Sequence, residues 1–201
     1  MSRRIGLTGS IGAGKSSAAK LLVARGAALI DADALAREAT QDPLVLREIA
    51  EQLGEDLVRD GRLERERTAE RVFADPQALA ALSAIVHPWV RRASRERAAA
   101  LEAAGAKVIL LDIPLLYENG LERELDAVIV VSAPLAVRLA RLRERSGLSA
   151  AEVEARERYQ WSQERKAARA DFVLDNSGDA AALEAQIARI WPQLCGEAEP
   201  G

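Results

Sequence analysis

The sequence predicts an α/β fold: a parallel five-stranded sheet between two layers of helices, α/β/α, with a helical substrate-binding subdomain and a helical lid attached. Three observations predict it. Over residues 4–31 a short strand-like run is joined by a glycine turn to a helical run and then to a second strand. Three later runs, at 107–112, 127–131 and 172–175, are apolar at successive positions, as strands buried on both faces are. Between the second and third strands lie roughly 70 residues rich in Ala, Glu, Arg and Leu at helical spacing, too long for an ordinary crossover loop.

Each element has a local reason. Ile5 and Leu7 mark the first strand, Gly9 to Gly14 the turn and Lys15 to Ala24 the first helix, which Gly26 stops in a left-handed conformation before the strand 27–31. In the helical stretch Leu35, Ala39, Leu46, Ile49 and Leu53 supply the apolar positions, with breaks near Asp42-Pro43 and Gly54. Asp60-Gly61-Arg62-Leu63 reads as a turn. Asp75-Pro76 opens a helix over 77–86, His87-Pro88 is expected to halt it, and another helix follows over 89–104. After the strand 127–131, a charged helical hairpin spans Pro134 to Lys166; Ser149 caps its second helix, with Glu152 completing a capping box. The amphipathic helix 179–194 carries Leu183, Ile187, Ile190 and Leu194 on one stripe. The expected division is a nucleotide-binding core of residues 1–34, 105–137 and 167–201, a helical subdomain 35–104 and a lid 138–166.

The chain has 201 residues, room for one core with a small subdomain. Its single Cys, Cys195, and single His, His87, exclude an internal disulfide and a four-ligand Cys/His zinc site. Acid and base work therefore falls to Asp or Glu. A balance of 28 basic against 31 acidic residues argues against a nucleic-acid partner, though not against a small phosphorylated ligand held by a local cluster. No stretch has the apolar length of a membrane span, so no membrane partner and a cytoplasmic location are expected. A monomer is expected, since a chain of this size completes its own core, although apolar helix faces can also pack between subunits.

The sharpest motif is Gly9-Ser10-Ile11-Gly12-Ala13-Gly14-Lys15-Ser16, which satisfies G-x-x-x-x-G-K-S between a strand and a helix and places the core among P-loop NTPases. Its glycines let backbone amides curl around phosphate oxygens, and the helix from Lys15 aims its positive end at the same place. Lys15 would reach the β- and γ-phosphates of a nucleotide, and the Ser16 hydroxyl would ligate Mg²⁺. Asp112, closing its strand, suits the same Mg²⁺ directly or through water, or else caps a loop. Asp31 and Asp33 sit where open α/β sheets bind ligands, so one of them should face an acceptor hydroxyl, unless the pair only caps the next helix. Helical register puts Arg138, Arg141 and Arg145 on one face of the hairpin, with Arg156 and Lys166 on the return arm. They read either as phosphoryl-stabilising donors of a closing lid or as a salt-bridged solvent face. No Asn-Lys-x-Asp segment is present to read guanine.

These residues, taken together, resemble the dephospho-coenzyme A kinase family. The segment Ile5 to Ser16 is similar to that family's Gly-Leu-Thr-Gly-Gly-Ile-Gly-Ser-Gly-Lys-Ser opening. The likeness continues through Asp31-Ala32-Asp33 with Arg37, Asp60-Gly61 with Arg65 and Phe73, and Ile85-Val86-His87-Pro88. It goes on through Pro114-Leu115-Leu116-Tyr117-Glu118, Arg141 with Arg145, Gln160 with Lys166, and the run Ala170 to Gly178. The resemblance implies transfer of the ATP γ-phosphate to the ribose 3'-hydroxyl of dephospho-coenzyme A, the last step of coenzyme A synthesis. It implies that Asp33 is the general base, that Thr8 lies near the transferring phosphate, and that Arg141 is the lid arginine on phosphate. It also places the loop residues Gly9 to Ser17 around the phosphates and Asn176, Ser177 and Gly178 beside the adenine. Arg37, His87, Leu115, Tyr117 and Glu118 fall in the acceptor pocket, while His87 before Pro88 also reads as a plain helix terminator. Three positions depart from the family pattern: Ser10 replaces a glycine, acceptable only if its backbone avoids glycine-only angles, Thr68 replaces a Leu, and Tyr117 replaces a frequent Phe. Rival readings are a kinase for another small metabolite and a nucleotide-gated interaction module.

Overall fold

The structure, a computed structural model of the chain, describes residues 2–158 and 160–197; Met1, Tyr159 and residues 198–201 lie outside the described residues. The chain divides into two compact units, residues 31–99 and the remainder.

The first unit is built on a five-stranded parallel sheet. Its strands are β1 (Arg3–Gly9), β2 (Ala28–Asp31), β5 (Val108–Asp112), β6 (Ala127–Ser132) and β7 (Phe172–Asp175), in the order β2-β5-β1-β6-β7. The sequence expectation of five parallel strands is met. β1 is central, with Ile5 opposite Leu110 on one side and Ala127 on the other. Period-two geometry then splits each strand between two faces. Ile5, Leu7, Leu110, Ile129 and Val131 pack with Ala18, Ala19 and Leu22 of α1 (Lys15–Ala24) and with Leu183, Ile187 and Leu194 of α9 (Ala180–Leu194). Val128 and Val130 face the other way, onto Leu116, Tyr117 and Trp161. Each fully buried Leu or Ile contributes about 1.5–3 kcal/mol, so both faces are strongly held. Between β6 and β7 come α6 (Leu135–Ser146), α7 (Ala150–Glu157) and the short α8 (Gln163–Ala167). Ser149 and Glu152 form the predicted capping box at α7, and Asp179 accepts from the Ala182 amide to cap α9.

The second unit packs α2 (Ala32–Ala39), α3 (Pro43–Leu53), α4 (Arg65–Ala74) and most of α5 (Pro76–Ala103) around Ala39, Val45, Ile49, Leu57, Ile85 and Val86. One expectation is met only in part here, the turn at Asp60-Gly61, and another fails. Residues 58–63 form a β-hairpin, β3 (Val58–Arg59) with β4 (Arg62–Leu63), and not a bare turn. Asp60 and Gly61 both have positive φ, 51° and 70°, which is the two-residue turn that twists correctly into paired strands. More consequentially, His87-Pro88 does not halt a helix: α5 runs unbroken from Pro76 to Ala103 with Pro88 inside it. A helical proline forfeits its bond to the carbonyl four residues back, and here both Pro88 and Ala84 face water, which can satisfy that carbonyl. Flanking Ile85, Val86 and Trp89 bury enough surface to hold the helix across the gap. His87 is half-buried in α5, and burial, with Arg91 nearby, pushes its pKa below the ordinary value. At the entry to α3, Asp42 accepts both the Trp89 indole N–H at 2.8 Å and the Leu44 amide at 2.8 Å, which lowers its pKa.

Candidate active site

The glycine turn lies at the C-terminal end of β1, where Ser10 O accepts the Ala13 N–H at 3.0 Å. Ser10 is not among the non-glycine residues with positive φ, so the serine in a usual glycine position adds no strain. Gly12 and Gly14 do need their freedom, with φ of 80° and 94°. A Cβ at Gly12 would press on Leu142 and on the Arg138 carbonyl, and one at Gly14 would overlap the Asn176 side chain. The helix that follows has no side-chain cap and no acidic residue in its first turn. By contrast α2, α3, α7, α8 and α9 are each capped by an Asp or Ser. Uncapped amides and the positive end of α1 thus meet at one point, which favours an anion.

Charged groups converge on that point. Lys15 Nζ forms an ion pair with Asp112 Oδ1, tying the helix start to the end of β5, with both side chains largely withdrawn from water. Ser16 and Ser17 are exposed on the first turn of α1. Arg141, on α6, places Nη1 3.6 Å from where a Gly14 Cβ would lie. That atom is buried and has no hydrogen-bond partner among the described residues. An unpaired buried guanidinium N–H costs about 1–3 kcal/mol, a cost that a phosphate oxygen at this place removes. Thr8, fully buried at the end of β1, donates its hydroxyl to Pro114 O at 3.0 Å.

Arg138 differs from the sequence expectation. It is only 6% exposed and lies behind the loop, where Nε donates to Ala133 O and Nη1 to Ile11 O, each at 3.2 Å, and Nη1 also pairs with Glu157 of α7. Helical register aligned it with Arg141, but register cannot tell a buried flank of a stripe from its wet centre. Glu157 was hidden among interleaved acidic residues; its separation of 19 residues from Arg138 left no local signal. Asn176, also 6% exposed, donates Nδ2 to Ala13 O at 2.8 Å, while Ser177 and Gly178 are exposed.

The segment after β5 makes a second cluster in the same unit. Leu115 is exposed, whereas Tyr117 is buried and stacks on Trp161 with ring centroids 5.6 Å apart and planes within 6°. The Arg165 guanidinium lies 3.4 Å from the Trp161 ring centroid. Glu118 Oε1 accepts the Trp161 backbone N–H at 2.7 Å and lies 2.9 Å from Nζ of the fully buried Lys166. The lysine is off the hydrogen-bonding angle, so the attraction is chiefly coulombic. The Tyr117 hydroxyl is buried without a partner, and burial, with Asp171 and Glu122 nearby, pushes its pKa up to about 12. Removing that hydroxyl removes an unsatisfied group: Tyr117→Phe should stabilise the fold by about 1 kcal/mol at neutral pH. The wild-type chain should also lose stability from pH 10 toward 12, as the unfolded but not the folded tyrosine ionises, and the Phe variant should not share that loss. Denaturant unfolding at pH 7 and across pH 9–12 checks both.

In the second unit the β2 run ends at Asp31, whose carboxylate accepts from the Ala34 N–H at 3.0 Å and caps α2. The cap belongs to Asp31, so Asp33 is not the capping carboxylate; it is exposed in the first turn, with Arg37 exposed one turn later. Of the expected site residues the structure therefore gathers Gly9 to Ser17, Asp112, Arg141 and Asn176 around one loop. Asp33, Arg37 and His87 belong to the other unit.

Known proteins place the chain. The dephospho-CoA kinase family model matches residues 3–182. A dephospho-CoA kinase of Deinococcus radiodurans is 50% identical over 192 residues, covering 96% of this chain and 92% of its own. A crystal structure from Thermus thermophilus superposes with a TM-score of 0.84 at 42% identity, covering 96% of this chain and 98% of its own. The dephospho-CoA kinase of Campylobacter jejuni superposes at 0.73 with 26% identity, covering 98% of both chains. With the phosphate-shaped loop at its centre and the match extending over nearly the whole sequence, the chain belongs to the dephospho-CoA kinase family.

Proposed function

We infer that the chain phosphorylates dephospho-CoA with ATP, giving CoA and ADP. The family match over residues 3–182 carries this reading, because it spans the phosphate loop, Asp33, Arg141 and Asn176 together. The loop geometry supports the donor side independently: uncapped amides, Lys15, and a buried guanidinium N–H lacking a partner.

Ser16 and Asp112 supply the hard oxygen donors suited to Mg²⁺, a cation that keeps several waters and takes further oxygens from phosphates. Bound there, Mg²⁺ would neutralise charge on the β- and γ-phosphate oxygens. Lys15 leaves its partner Asp112 for the same oxygens, and the amides of the loop and of the α1 terminus fix their positions. Arg141 donates Nη1 to the transferring phosphoryl group. Asp33 takes the proton of the ribose 3'-hydroxyl as the new O–P bond forms and the β,γ-bridging oxygen departs with ADP. The α6–α7 hairpin serves as the lid that keeps water from competing as acceptor. Leu115, Tyr117, Glu118, Arg37 and His87 are assigned to the acceptor side, and Asn176, Ser177 and Gly178 to the adenine. No helix among the described residues is long and apolar enough to cross a membrane.

The test is turnover of purified protein with Mg-ATP and a panel of dephospho-CoA, shikimate, gluconate, AMP and deoxynucleosides. The expected product is the 3'-phosphate of the first alone; turnover of another acceptor with none of dephospho-CoA overturns the reading. Asp33→Asn should lower kcat by about 10²-fold with ATP binding intact, the range for a lost general base. Wild-type activity in that variant would remove Asp33 from the role.

A further inference from the structure

We propose that Arg138 and Asn176 are positioning residues that set the orientation of two peptide groups in the phosphate loop, and that Glu157 links this setting to the return arm of the helical hairpin. The inference rests on the reading of the loop as the ATP phosphate site.

The argument starts from the peptide bond. A trans peptide is planar, so the carbonyl of one residue and the N–H of the next point in opposite directions. No cis peptide occurs among the described residues. Ile11 O is held by Arg138 Nη1 and Ala13 O by Asn176 Nδ2. The N–H groups of Gly12 and Gly14 must therefore point away from those two side chains. The intervening peptide is used differently, since the Ala13 N–H is turned back to Ser10 O. Two loop amides are thus aimed outward by donors on the opposite side of the loop.

Both donors are themselves fixed. Asn176 follows β7, and its own N–H bonds Ser132 O at 2.8 Å, so it extends the β6–β7 ladder. Arg138 is gripped by Ala133 O at one end and by Glu157 at the other. The charge of the cation in this place is met by Glu157, whose side chain is 29% exposed at the end of α7. A movement of α7 that draws Glu157 away leaves Arg138 with fewer constraints and frees the Ile11 carbonyl to turn. The hairpin and the anion-binding amides are then coupled through one guanidinium.

Asn176→Asp puts an acceptor oxygen against Ala13 O, and Glu157→Gln keeps the shape of the pair but removes its charge. The affinity of Mg-ADP, measured by calorimetry without any acceptor, should fall by about tenfold in Asn176→Asp and by about threefold or more in Glu157→Gln. In turnover, KM for ATP should rise in both, and in Glu157→Gln kcat and KM for dephospho-CoA should change by less than about twofold, a split that general destabilisation does not produce. In ¹⁵N-glycine-labelled wild-type protein, Mg-ADP should move the Gly12 and Gly14 amide protons downfield, and Glu157→Gln should shrink the Gly12 shift. Unshifted Gly12 and Gly14 amides in nucleotide-bound wild type overturn the proposal even if Asn176→Asp fails to fold, as does unchanged affinity in Glu157→Gln. If Mg-ADP does not bind the wild-type chain at all, it is the nucleotide reading of the loop that falls.

Discussion

Arg141→Ala is expected to lower kcat for dephospho-CoA phosphorylation by about 10³-fold, the lower range for an arginine that stabilises a transferring phosphoryl group. The reason lies in what the side chain lacks. Lys15 has Asp112 and Arg138 has Glu157, but Nη1 of Arg141 is buried beside Gly14 without a hydrogen-bond partner. Nothing in the fold depends on that N–H, so its loss should cost the reaction and spare the structure. Steady-state kinetics with thermal unfolding checks this: kcat falls and Tm holds. A variant in which only KM for ATP rises would make Arg141 a ground-state binder and deny it a part in the transition state. Arg141→Lys should recover a fraction of the rate, since a lysine restores charge but not the fixed planar donors.

Lys166→Ala is expected to destabilise the protein by about 3 kcal/mol or more, because it leaves the Glu118 carboxylate without its cation in a place that water barely reaches. For a chain of this size that corresponds to a fall in Tm of about 6–12 °C. Glu118 also accepts the Trp161 backbone N–H, and Trp161 stacks on Tyr117, so the damage should spread through the join between β5's following segment and the return arm of the hairpin. The double variant Glu118→Gln, Lys166→Met should regain more than half of the loss, since the amide still accepts from Trp161 and no charge is buried. A single-variant loss below about 1 kcal/mol would show that the pair is solvated and carries little.

Much of this was legible in the sequence, for reasons that differ by element. The strands were readable because burial on both faces leaves continuous apolar runs, and the loop because its glycines, lysine and serine stand at a fixed spacing between a strand and a helix. The capping box at Ser149 was equally plain, being a purely local bond pattern. The failures share a cause: tertiary packing overruled a local rule. Pro88 reads as a helix stop, but Ile85, Val86 and Trp89 gain more from packing around Ala39 and Ile49 than the lost backbone bond costs. The Asp60-Gly61 hairpin was within reach, since Asp-Gly is the sequence form of its turn; the helical composition around it masked the signal. Arg138 and Lys166 were identifiable as cations of the hairpin but not as buried ones. Their partners, Glu157 and Glu118, lie more than four helical turns away in sequence, so no periodicity relates the pairs.

The strand order has a consequence for the life of the chain before it is complete. β1 is synthesised first yet ends between β5 and β6, whose residues begin at 108 and 127. On the ribosome Ile5 and Leu7 therefore wait with both edges of their strand unpaired while residues 31–99 emerge and collapse on contacts of their own. An unpaired apolar strand is a template for other chains. Arrest of translation before residue 132 should leave a nascent chain that binds chaperones and aggregates on release, whereas arrest beyond residue 194, with α9 able to cover the sheet, should not.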